Sequence, residues 1–268
     1  MKKTIQPLLI FLFPLLLYGQ KENWDVYLAQ YEKGPGSVTL NMELINSAPI
    51  LELPFILVTG VKAKQCDSNG FPNQTELSTL YKISDSIITV VNRITKAEVT
   101  GSFTYQCERL DYIYVKDTIS LRSKLATSYK KLFPDYTPYI KLRVDKEWAA
   151  YKEFLYPNEE TREYMANQKV ISQLVAGGDA LNKPRQVDHW IYFQTKQDRD
   201  KFIKYAKENT FKVESENYLK GEKLPFQLRI SRTDNVDLAS ITKVTLQLKK
   251  EATNLQGDYD GWETFIVK

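Results

Sequence analysis

The chain has 268 residues, 43% of them hydrophobic, with a formal net charge of +4 and 26% charged side chains. That composition exceeds what one small core needs and excludes a disordered chain. The near-balanced charge leaves no field for long-range steering, so no nucleic acid partner is indicated.

Lys2 and Lys3 precede an apolar run, Leu8 to Leu17, and Tyr18-Gly19-Gln20 leads into charged sequence. This is the grammar of an export signal, residues 1–20, with small Gly19 the expected residue before the cut. The run is short for a ~30 Å hydrocarbon core and Pro14 interrupts it, so no membrane anchor is expected after cleavage. Losing Lys2 and Lys3 takes the charge from +4 to +2 over 248 residues (268 minus 20), which are expected in the periplasm or outside the cell. Such a compartment permits a bond between Cys66 and Cys107, the two cysteines of the chain; two buried thiols are the alternative. With one histidine, His189, they form no zinc spacing, so neither a metal nor another cofactor is expected.

Ser37 to Ile45 alternates, with Val38, Leu40, Met42 and Leu44 on one face, and Leu53 to Val61 is a longer apolar strand. After the turn-rich segment 67–73, Asn73 caps a helix carrying Leu77, Leu80, Ile87, Val91 and Ile94. The sequon Asn73-Gln74-Thr75 coincides with this cap, which already explains it. Val99 to Gln106 and Tyr112 to Val115 predict a hairpin. Asp117-Thr118 is expected to cap a helix through Leu121, Leu125, Tyr129 and Leu132, and Tyr139 to Val144 is a further strand. Glu147 to Tyr156 predicts a short aromatic helix ending at Pro157.

Asn158 opens the second half as the cap of a helix with Glu159 and Glu160 in its first turn, running to Gly177-Gly178. Those glycines follow a helix, so they present no amides to a phosphate. Val187 to Gln194 is a strand, Thr195 and Asp198 form a capping box, and Phe211 to Ser215 and Pro225 to Ser231 pair as strands. A helix through Ile241, Val244 and Leu248 turns Lys249 and Lys250 to water, and Trp262 to Val267 closes the order as a strand. Residues 185–267 thus give β, α, β, β, α, β, and residues 53–144 repeat it after one extra strand. The expected class is α+β: two tandem ferredoxin-like α/β sandwich domains, 21–156 and 157–268, with antiparallel sheets that leave one face free.

Glu159-Glu160-Thr161-Arg162, Val187-Asp188-His189 and Tyr259-Asp260-Gly261-Trp262-Glu263-Thr264 together resemble the regulator of ribonuclease E activity B family, over residues 158–268. The resemblance implies an α+β fold and a non-catalytic protein that binds ribonuclease E and inhibits RNA cleavage. Characterised members are cytoplasmic and acidic, unlike a chain with an export signal. Residues 21–156 are similar to an uncharacterised bacterial domain family through Trp24-Asp25-Val26-Tyr27, Gly70-Phe71-Pro72 and Tyr112-Ile113-Tyr114, and this implies no activity.

In the usual strand order of this fold, the strand of His189 and Trp190 lies beside that of Trp262 and Glu263. Alternation sends Asp188, Trp190 and Tyr192 to one side and His189 to the apolar side, where a lone histidine serves the core. Asp260-Gly261 is expected to turn the chain before the strand, or to form a binding loop. Trp190 and Trp262, with Tyr192 and Tyr259, are expected to form either an aromatic platform for a peptide or sugar or a surface for packing between the two domains. The candidate binding residues are therefore Asp188, His189, Trp190, Asp260, Gly261, Trp262 and Glu263. A hydrolase built on Asp188, His189 and Glu263 lacks a nucleophile motif, so the leading expectation is an exported, non-catalytic binding or regulatory protein for an unknown protein or small molecule. Inhibition of a ribonuclease is the alternative.

Overall fold

The computed structural model describes residues 22–268, and the export grammar at Lys2, Lys3 and Leu8 to Leu17 lies outside them. Among the described residues no helix is long and apolar enough to cross a membrane. The chain divides into two units, one ending at Tyr156 and the other beginning at Pro157.

The N-terminal unit runs β1 (Trp24–Tyr31), β2 (Gly34–Asn41), β3 (Phe55–Lys62), α1 (Gln74–Ile94), β4 (Ala97–Tyr105), β5 (Glu108–Val115), α2 (Leu121–Leu132) and β6 (Pro138–Val144). Its antiparallel sheet has the order β1-β2-β4-β5-β3-β6. From β3 onward this is a ferredoxin-like unit, and β1 and β2 extend it beyond β4. Leu57, Val61, Ile113 and Val115 pack one sheet face against Leu80, Ile87 and Val91 of α1 and Leu121, Leu125 and Tyr129 of α2. The structure joins Cys66 to Cys107 with their α-carbons 5.9 Å apart, tying the loop before α1 to the turn between β4 and β5.

Four expectations are corrected here. Two strands precede β3 in the sheet, because Trp24–Tyr31 pairs with β2 along its full length. The strand expected to reach Ile45 ends at Asn41, whose side chain accepts the Glu43 N–H and starts a 3-10 turn over Met42–Asn46. Ser120, in a left-handed conformation, stands at the start of α2 in place of Asp117-Thr118, while Asp117 accepts the Ile119 N–H. The second sheet face is covered as well: the expected helix at 147–156 is a single wide turn, Ala150–Leu155, in a segment packed on that face. Trp148 stacks on Tyr114 with centroids 4.0 Å apart and donates to the Leu53 carbonyl, and the hydroxyls of Tyr151 and Tyr27 donate to the carbonyls of Asn41 and Leu155.

The C-terminal unit runs α3 (Glu159–Ala176), β7 (Arg185–Phe193), α4 (Lys196–Glu208), β8 (Lys212–Tyr218), β9 (Phe226–Asp234), α5 (Leu238–Asn254) and β10 (Gly257–Glu263). Asn158, Thr195 and Asp237 cap the three helices, each side chain accepting a backbone N–H three residues on. The antiparallel order β10-β7-β9-β8 is that of the ferredoxin-like fold. The last strand begins five residues before Trp262 and ends at Glu263, so the expected strand to Val267 is corrected. Residues 264–268 are held differently: Arg185, ion-paired with Asp179 in the interior, donates to the Phe265 carbonyl, and Asp179 accepts the Val267 N–H at 2.8 Å.

Candidate functional site

The residues singled out in the C-terminal unit sit on β7 and β10, which are paired neighbours. Along β7 every second residue is buried, so Val187, His189, Ile191 and Phe193 face the helices while Asp188, Trp190 and Tyr192 face away. Trp262 stands opposite His189 and Glu263 opposite Asp188. In a regular strand Tyr259 and Trp262 would point to opposite sides. The register shifts between Tyr259 and Gly261, and this bulge brings both onto the helix side. Asp260-Gly261 is therefore an interruption within the strand, not a turn before it, and Gly261 supplies the positive φ of 128° that the bend requires.

His189 is fully buried. Its Nδ1 lies 2.8 Å from the Tyr259 hydroxyl, its ring meets Phe211 edge to face, and among the described residues its Nε2 has no hydrogen-bond partner. Burial, with the Arg232 charge adding to it, pushes its pKa down to about 3, so the ring is neutral at neutral pH. Burial likewise holds the Tyr259 phenol well above its ordinary value, and the nearby Glu163 carboxylate raises it further. Asp188 and Glu263 face away from His189, so the three do not assemble an acid–base group.

The aromatic platform is corrected too. Trp262 is buried on the helix side, whereas Trp190 lies on the far face with the Arg229 guanidinium 5.3 Å above its ring. Arg229 also reaches Asp188 at 3.8 Å, and Gln227 donates to the Tyr192 hydroxyl at 2.9 Å. The two tryptophans belong to different surfaces.

What the structure does gather is a cleft of about 260 Å³ between α3, α5 and the bulge of β10. Asn167, 1% exposed, is its keystone: the amide donates to Thr245 at 2.9 Å and Thr242 at 3.1 Å, and its oxygen accepts the Trp262 indole N–H at 2.7 Å. Glu163, also buried, pairs with Lys249 at 3.0 Å. Lys249 thus faces a carboxylate, where the sequence had it turned to water. Asp260 and Gly261 form the rim, with Asp260 exposed. A half-buried ion pair, a fixed amide and an exposed rim carboxylate can recognise a partner by charge and hydrogen bonding. Glu163, Asn167 and Lys249 were missed in the sequence. Their signal was polar side chains on helix faces that otherwise carry Val170, Leu174 and Leu248 at helical spacing. Among the described residues no group of three His, Cys, Asp or Glu side chains is placed to hold a metal ion.

Residues 22–156 match the model of a family of unknown function, DUF695, over half of the chain. The chain belongs to this family. Residues 165–264 match a second model, Regulator of ribonuclease activity B, as the resemblance implied. That match begins after Glu159-Glu160-Thr161-Arg162 and takes in Asn167, Lys249 and the whole β10 bulge. No curated protein matches the chain. A crystal structure described as that of a candidate glycine cleavage system transcriptional repressor matches at 10% identity over 79% of this chain and 98% of its own. The TM-score is 0.23, too low a likeness to bear on function.

Proposed function

We propose that this protein is a non-catalytic binding and regulatory protein whose C-terminal unit offers the α3–α5–β10 cleft to a protein partner. The bulge carries the reading: it sets the exposed Asp260 beside a half-buried ion pair and a fully bonded amide, while the one histidine of the chain is buried, neutral and turned from Asp188 and Glu263. That arrangement favours recognition over turnover, because general acid–base work needs a titrating group within reach of a substrate. Export to the periplasm or beyond is part of the proposal and rests on the N-terminal sequence pattern.

Affinity capture with the purified chain and its Asp260→Lys variant, from the exported fraction, tests this reading. A partner retained by the parent and lost by the variant supports it; identical recovery by both refutes the assigned surface. Localisation is checked by fractionation, and accumulation in the cytoplasm with an intact N-terminus would refute export. The description of the second family model supports a narrower reading, in which the partner is a ribonuclease. It predicts slower RNA cleavage by a purified ribonuclease E on adding the chain, and an unchanged rate at large molar excess removes it.

A further inference from the structure

Strand β6 is an edge of the N-terminal sheet, and its sequence Pro-Tyr-Ile-Lys-Leu-Arg-Val alternates strictly. Ile140 and Leu142 pack against the core beneath the helices. Tyr139, Lys141 and Arg143 therefore project from the other side, opposite Gly60, Val58 and Ile56 of β3. The packed segment after β6 covers the centre of that face but stops short of its edge. A cleft of about 310 Å³ remains there, with Val58, Leu110 and Tyr112 in its floor and Tyr139, Lys141, Arg143 and Phe154 around it.

Two features set this cleft apart from ordinary surface. The first is exposed positive charge held in no salt bridge. Lys141 and Arg143 are exposed, and among the described residues neither has an acidic side chain within 4 Å. Asp145 is the nearby carboxylate; it accepts from the Tyr114 hydroxyl at 2.6 Å and from the Ala149 and Ala150 N–H groups at 2.9 Å, and it offsets part of the Arg143 charge without forming a salt bridge to it. The second is an aromatic wall. The Phe154 ring stacks on Tyr112 with centroids 5.7 Å apart and is locked edge-on by Phe103, yet it stays 38% exposed, and Tyr139 is 42% exposed. Burial, with Tyr139 adding to it, pushes the Tyr112 phenol up to about 12, so its hydroxyl stays a neutral donor. Charge on an edge strand by itself serves to block sheet-to-sheet pairing. That role does not call for fixed, half-open aromatic rings beside the charges.

We propose that this cleft binds a small organic anion built on a ring, its carboxylate or phosphate held by Lys141 and Arg143 and its ring laid against Tyr139 and Phe154. The two cations are one strand repeat apart, roughly 7 Å between α-carbons, close enough to share one anionic group at the ends of their long side chains. The volume stands at the lower end of ligand-site sizes, which fits one or two rings. A carboxylated sugar and a nucleoside monophosphate share the chemistry required. The proposal is independent of the C-terminal cleft.

The test is calorimetric titration of the whole purified chain with uridine monophosphate, uridine, glucuronate, glucose and inorganic phosphate, repeated at two salt concentrations. One of the two ring anions is expected to bind with a dissociation constant on the order of 0.1–1 mM, weakening as salt rises. Its neutral counterpart should bind about tenfold more weakly or not at all. The tighter of the two anions names the source of the charge, phosphate or carboxylate. The Lys141→Ala/Arg143→Ala double variant should lose at least about tenfold in affinity, and Tyr139→Leu should lose affinity for the ring anion but not for inorganic phosphate. These side chains are exposed, so both variants should keep the parent circular dichroism spectrum. Neutral and anionic probes binding alike, inorganic phosphate binding as tightly as the ring anions, an unchanged double variant, or no binding by either anion at 10 mM on the scale above would each overturn the proposal.

Discussion

Replacing Trp262 with Phe tests whether the indole N–H bonded to Asn167 holds α3, α5 and β10 together. The change orphans the Asn167 oxygen, which now accepts that N–H at 2.7 Å in a residue 1% exposed. A buried acceptor without a donor costs about 1–3 kcal/mol, and the lost ring carbons of a nearly buried indole add on the order of 1 kcal/mol. The total, roughly 3 kcal/mol, is about a hundredfold in the opening equilibrium of the C-terminal unit. Native-state amide exchange reads that unit alone, and the best-protected amides of β7 and β9 should exchange about a hundredfold faster. Asn167→Leu separates the bond from the volume. If the bond matters, Asn167→Leu will cost less in the Trp262→Phe background than in the parent, by more than about 1 kcal/mol. Exchange altered less than about threefold in Trp262→Phe, or strictly additive substitutions, would refute the assignment of Asn167 as the joint of the cleft.

His189 makes the same unit acid-labile. Its folded pKa is about 3 against an ordinary 6.5, so between those values the unfolded chain binds the additional proton. Stability should be complete above about pH 6.5 and fall by up to roughly 1.4 kcal/mol per pH unit toward pH 3, and urea titrations of His189→Gln should show a flatter profile. Asp111 behaves in the opposite sense: burial raises its carboxyl to about 6 from 3.8, so its contribution is complete below pH 3.8 and declines as pH rises through 6. Asp111→Asn should therefore stabilise the N-terminal unit at pH 8 by on the order of 1–3 kcal/mol, with the gain vanishing near pH 3.5, as followed by thermal melts. Replacing Cys66 and Cys107 with Ala opens a loop of sequence separation 41. That should cost roughly 4 kcal/mol, and reductant should lower the melting temperature of the parent but not of the double variant.

Local rules made much of this fold readable. Asn73, Asn158 and Thr195 announced their helices because a capping side chain bonds a backbone N–H only three residues away. Alternation from Val187 to Phe193 likewise sorted the two faces of β7, and with them the separation of His189 from Asp188. Features that depend on distant partners were not readable. Met42 and Leu44 continue the apolar alternation of β2, yet Asn41 ends the strand by turning its side chain back on the Glu43 amide. Asp260 and Gly261 are turn-forming residues, and nothing local reveals that the consecutive residues Ile191 and Trp190 pair with Tyr259 and Gly261, leaving Asp260 over as a bulge. The cover provided by Trp148 and Tyr151 escaped for the same reason, since their partners Leu53 and Asn41 lie about a hundred residues away. The cleft itself hid in helix faces, where Glu163 and Asn167 break an apolar stripe without announcing a purpose.

The bulge in β10 also gives the molecule a built-in pair of optical reporters. It leaves Trp262 in a dry interior and Trp190 on the opposite, wetter side of one thin sheet, under a guanidinium. With the other two indoles replaced, a blue-shifted emission from one and a quencher-sensitive emission from the other would tell which side a newcomer approaches, with no label attached.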